Sequence, residues 1–159
     1  MYKSKKTKGF TLLEILLVVA AIGILAGIVI LAINPTKQLG VTRNAQRKVD
    51  VNTLINAIYQ YAIDNNGNFP GAIDSVATSS QVFGTVASGA DSTCTATTTV
   101  ASSTDLSAIL TPTYIVEIPY DPSTGSVSNT DYYINKLTSG RIVVGACDPE
   151  QSAIISVTR

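Results

Sequence analysis

The sequence predicts an α+β fold: one long N-terminal helix, its second half packed on a small antiparallel sheet. Three observations carry this. Residues 10–33 form an apolar run with a single charge, Glu14. Val51, Leu54, Ile55, Ile58 and Ala62 recur at helical spacing and mark one apolar stripe. The last third alternates short Ile-, Val- and Tyr-rich runs with turn residues, as strands do.

The 24 residues 10–33 come first. At about 1.5 Å per residue a helix of that length spans roughly 36 Å, enough for a hydrocarbon core of about 30 Å. Lys3, Lys5, Lys6 and Lys8 precede it, and the first nine residues hold no acid. Positive flanks stay cytoplasmic, so the N-terminus is expected inside and residues after Pro35 outside. An ordinary secretory signal peptide fits less well, because its apolar region is shorter and ends in a small-x-small cut. Here the run ends in Ala32-Ile33-Asn34-Pro35. A plain uncleaved anchor is the other alternative.

Glu14 is the anomaly in the run. A carboxylate at the bilayer centre costs on the order of 3 kcal/mol, and less near the edge, where Glu14 lies. One reading is an interfacial acid reaching the headgroups. The other is a buried charge awaiting a cationic partner.

Lys8-Gly9-Phe10-Thr11-Leu12-Leu13-Glu14, followed by the apolar run, resembles the type IV pilin and type II secretion pseudopilin superfamily. The segment Ile118-Pro119-Tyr120-Asp121-Pro122, with Leu110, Pro112 and Tyr114 before it, resembles a second stretch common in small bacterial pilins and pseudopilins. The resemblance implies a pilin-like structural subunit rather than an enzyme. It implies a leader of residues 1–9, cut between Gly9 and Phe10, and N-methylation of the new amino terminus at Phe10. Glu14 would then neutralise the amine of a neighbouring subunit as a filament grows. The implied partners are further copies of the chain, a prepilin peptidase and methylase, an assembly ATPase, a platform membrane protein, and the inner membrane before assembly. The chain would be a single-pass membrane protein first, then part of an extracellular pilus or a periplasmic pseudopilus. A secretion pseudopilin and a minor pilin or DNA-uptake binding module are the alternatives to a major pilus subunit.

Residues 34–66 continue the helix in amphipathic form, so the expectation is one helix from about residue 11 to 65. Pro35 lacks an amide donor and should kink or locally break it. Gly23 and Gly27 are weaker points, each costing up to about 1 kcal/mol against alanine. They read either as close helix packing or as a segment able to melt and extend in a filament. Asn65-Asn66-Gly67 reads as the stop. Residues 67–112 are rich in Ser, Thr, Ala and Gly and read as loop, apart from a possible short segment at 82–86. Residues 113–159 read as the sheet, with strands at 114–118, 131–137, 141–147 and 153–157. Thr138-Ser139-Gly140 is a hairpin turn, and 148–151 a possible second.

The chain of 159 residues has 11 basic and 11 acidic side chains and no histidine. Without its first nine residues it would carry seven basic and eleven acidic groups, a net of −4. Lack of histidine removes Ser-His-Asp and Cys-His catalysis and the commonest metal ligand. No cofactor is implied. Two cysteines in an exported domain read as one disulfide, Cys94 to Cys147, with two separate buried thiols as the alternative. Asp121, Asp131, Asp148 and Glu150 lack calcium-loop spacing and read as solvated surface. Arg43, Arg47 and Lys48 read as a small basic patch, solvated or paired with neighbouring subunits. Nucleic-acid binding is the lesser reading of that patch, which has no aromatic platform beside it. Tyr114, Tyr120, Tyr132 and Tyr133 read as sheet packing.

Overall fold

A computed structural model describes residues 9–159, so Lys3, Lys5, Lys6 and Lys8 lie outside the described residues. The chain forms two compact units, up to Gln38 and from Leu39 to Arg159.

In the first unit, helix α1 spans Leu12–Ile33 and is long and apolar enough to cross a membrane. None of its residues is buried. Gly23 and Gly27 meet nothing within 4 Å of where a Cβ would stand. The single long helix expected from the sequence is in fact two. Asn34 adopts a left-handed conformation (φ 48°) that ends α1, and α2 runs Pro35–Asp64. Asn34 also starts the second helix: its Oδ1 accepts from the Lys37 amide at 3.2 Å. Pro35 is thus a first-turn residue, where its missing donor removes no helical bond.

In the second unit, α2 ends at left-handed Asn66 and Gly67, with the Gly67 amide on the Ala62 carbonyl at 2.7 Å. A four-stranded antiparallel sheet follows in the order β1 (Gln81–Gly84), β2 (Asn129–Lys136), β3 (Ile142–Ala146), β4 (Ser156–Thr158). The register sets Tyr132 opposite Ala146 and Ile134 opposite Val144. Those four side chains share one core with Val51, Leu54, Ile55 and Ile58 of α2. Each fully buried Leu or Ile there contributes about 1.5–3 kcal/mol. The opposite sheet face buries Tyr133 and Val82 against Ala90 and the Cys94–Cys147 pair.

The sheet therefore takes its first strand from the Ser/Thr-rich segment. Residues 114–118, expected as a strand, form the end of a turn and a bend instead. Both Tyr114 and Ile115 donate their amides to the Leu110 carbonyl, at 2.9 and 3.2 Å. Leu110 closes a one-turn helix, α3 (Ser107–Leu110). With Pro112 and Pro119 on either side, little of this run can join a ladder. Strand β4 covers 156–158 where 153–157 was expected, and it follows a turn in which Gln151 and Ser152 are both left-handed (φ 57° and 55°).

Candidate functional site

Two groups of polar residues stand out, one at the head of α1 and one on α2.

At the head of α1, Thr11 is the N-cap (φ −81°, ψ 151°). Its Oγ1 accepts from the Glu14 amide at 3.2 Å, and Glu14 Oε2 accepts from the Thr11 amide and hydroxyl, each at 3.1 Å. This is a reciprocal capping box. It satisfies two amides that the first helical turn leaves without partners. The helix N-terminus carries partial positive charge, which also favours an acid there. A carboxylate offers about four acceptor positions, so the two bonds from Thr11 leave room for a further donor. Phe10 stands immediately before the box and is 83% exposed. Gly9 is exposed too, and among the described residues nothing lies within 4 Å of its Cβ position. The sequence signal for Thr11 is local: Thr11-Leu12-Leu13-Glu14 has the spacing of a capping box before an apolar run.

On α2, Arg47 is fully buried and does not belong to a solvated patch. Its Nε donates to Asp121 Oδ2 at 2.5 Å and its Nη2 to Asp121 Oδ1 at 2.9 Å. Nη2 also reaches Ser123 Oγ at 2.7 Å, and Nη1 reaches Asn44 Oδ1 at 2.9 Å. Asp121 is equally buried, contrary to the surface reading. Its Oδ1 further accepts from the Ser123 amide and hydroxyl, both at 2.8 Å, and from the Thr124 amide at 3.2 Å.

Glu150 corrects the same expectation. Arg43 grips it through Nε at 2.9 Å and Nη2 at 2.5 Å. Asn44 brackets its backbone, donating to the carbonyl at 2.8 Å and accepting from the amide at 3.1 Å. Together these residues clamp two loops, after Pro119 and after β3, onto one stretch of α2. Gly40 lies on the same helix face, where a Cβ would stand 2.6 Å from Gln151 Nε2.

Charge settles the protonation states. Burial pushes the Asp121 carboxyl up, but the bonds from Arg47, Ser123 and Thr124 outweigh it and hold it below the usual range. Arg43, through its hydrogen bond, likewise lowers Glu150. Burial works against charged Arg47, yet its bonds to Asp121 and Glu150 leave its pKa raised. Burial pushes the Asp131 carboxyl the other way, upward. Burial and a 2.7 Å bond to Asp50 raise the Tyr132 phenol.

Cys94 and Cys147 form a disulfide with Cα atoms 4.3 Å apart, three positions before Glu150. Pro35 stands at the start of α2, far in sequence from that bridge. Among the described residues no three His, Cys, Asp or Glu side chains gather as a metal site would require.

Residues 4–30 match the family model of the prokaryotic N-terminal methylation motif. That motif is the processing signal of type IV pilins and pseudopilins. It points to a structural subunit and to membrane anchoring before assembly. No curated protein and no solved structure matches the chain.

Proposed function

We propose that this chain is the structural subunit of a type IV pilus-like filament. Cleavage falls between Gly9 and Phe10, and Phe10 is N-methylated. The observation that carries the reading is the methylation motif over residues 4–30, which overlaps an apolar helix with Glu14 in its first turn. In the membrane, α1 lies in lipid with its amides satisfied by the helix itself. During assembly, α1 leaves lipid for the company of other α1 helices. Glu14 then accepts from the Phe10 ammonium group of a neighbour. Each charge alone is penalised in such surroundings, and the pair offsets that cost, so one contact sets the register of an otherwise uniform apolar rod. A prepilin peptidase and methylase, an assembly ATPase and a platform membrane protein act on the chain. The clamp and disulfide of the second unit suit a subunit that bears load outside the cytoplasm.

The test is fibre yield from the native host after shearing, with Glu14→Ala against the natural chain. Abundant fibres built of this chain, lost or strongly reduced in the variant, support the reading. Normal fibres from Glu14→Ala would sink the ion pair.

A further inference from the structure

The outer side of α2 carries a second apolar stripe that the subunit's own core does not use. Val41, Ala45 and Val49 recur every four residues, and all three are exposed. They lie on the side of the helix away from Val51, Leu54 and Ile58, which are fully buried. Lys48 adjoins the stripe, is exposed, and forms no salt bridge among the described residues.

Elsewhere on the same unit is a cavity of about 230 Å³, with Phe83, Leu106 and Ile118 among its lining. Val116 and Val127 stand at its mouth, 87% and 81% exposed. Asp105 and Glu117 also line it, are exposed, and form no salt bridge among the described residues. Exposed apolar side chains around a concavity with an acidic rim are the mark of an interaction surface.

The two patches are complementary. One is convex, apolar and basic; the other is concave, apolar and acidic. They are different surfaces of one rigidly packed unit, so a chain cannot seat its own stripe in its own cavity. Two unlike patches that fit each other generate a head-to-tail contact, which propagates as an open helical array instead of closing as a dimer.

We propose that the cavity rimmed by Asp105 and Glu117 receives the Val41–Ala45–Val49 stripe of a second copy of this chain, with Lys48 of that copy paired to the acidic rim. The proposal rests on the filament-subunit reading and gives it a specific contact outside the membrane helix. The small Ala45 lets the helix approach the cavity mouth, and the two valines flank it. The contact is modest in area and acts beside the packing of α1 helices, so it serves register and specificity more than overall affinity.

The test uses the full-length chain in a host that processes and assembles it. Lys48→Glu and Glu117→Lys are each expected to lower sheared-fibre yield about tenfold through like-charge juxtaposition. Cutting after Gly9 and the melting temperature stay unchanged, because neither side chain is in the core or the clamp. The two reversals combined restore the yield. A photo-cross-linking residue in place of Val49 is expected to label residues 105–127 of another copy. Yields within about twofold of the natural chain for both single reversals overturn the contact alone. Labelling confined to a different surface or a different protein does the same. A natural chain that gives neither fibres nor copy-to-copy labelling overturns the subunit reading, and the contact with it.

Discussion

Removing Asp121 tests how the second unit holds together. Asp121→Ala takes away the carboxylate that receives both Nε and Nη2 of buried Arg47. Breaking one side of a buried pair costs about 3–5 kcal/mol. Here the lower end applies, because Arg47 keeps Ser123, Asn44 and, at 3.4 Å, Glu150. The Ser123 and Thr124 amides also lose their acceptor. A loss of about 3 kcal/mol lowers the melting temperature of a unit of this size by about 10–15 °C. The assay is thermal unfolding of the full chain in detergent micelles, read by near-ultraviolet circular dichroism of the buried tyrosines. Arg47→Met with Asp121→Leu is expected to recover most of the loss, because an apolar pair of similar volume often replaces a buried ion pair at little cost. A shift below about 3 °C for Asp121→Ala would refute the clamp as the main tie between α2 and the 121–125 turn.

Other outcomes follow from the same geometry. Glu14→Gln keeps an acceptor for the capping box but loses the charge, so its helix should hold while its fibres fail; Thr11→Val should cost the α1 cap about 1 kcal/mol, visible as fraying in amide exchange. Gly125→Ala should destabilise the second unit by about 1–3 kcal/mol, because a Cβ there meets backbone, 2.4 Å from the Asp121 nitrogen, that has no room to give. Asp121 and Glu150 have folded pKa values below their unfolded ones. They therefore add stability above about pH 4, and it is lost as pH falls through the folded values. Asp131, raised by burial, acts in the opposite sense, gaining stability as it protonates. Acid unfolding that begins below about pH 4, and moves to higher pH in Glu150→Gln, would bear out the sign. Reducing Cys94–Cys147 should cost at most about 4 kcal/mol by loop entropy, measurable as a lower melting temperature in reductant.

The sequence showed the second helix because burial there follows period, Val51 to Ala62 facing the core at helical spacing. It showed β2 and β3 as Ile-, Val- and Tyr-rich runs between turn residues, buried on both faces. It hid the clamp because charged residues ordinarily read as solvated. A signal was nonetheless present: Gly40, Asn44 and Arg47 continue the Val51–Leu54–Ile58 stripe backwards along the same helix face. A charge on a core-facing register asks for a partner, and Asp121, in its Pro-flanked turn, is that partner. The strand expected at 114–118 failed for a different reason. Tyr114, Ile115 and Ile118 do pack against the core while Val116 stays exposed, and Tyr114 and Ile115 commit their amides to Leu110. Hydrophobic pattern records burial and leaves hydrogen-bond direction open. At Asn34 the break in the helix comes from a left-handed residue that both ends one helix and caps the next, with Pro35 in the tolerated position.

The most direct measurement is the mass of the N-terminal peptide of the protein isolated from its native host. The account predicts a chain that begins at Phe10 with a methylated amino group. A chain that keeps Lys3 to Gly9 in the presence of the peptidase would contradict it, leaving a single-pass anchored domain with no filament to build.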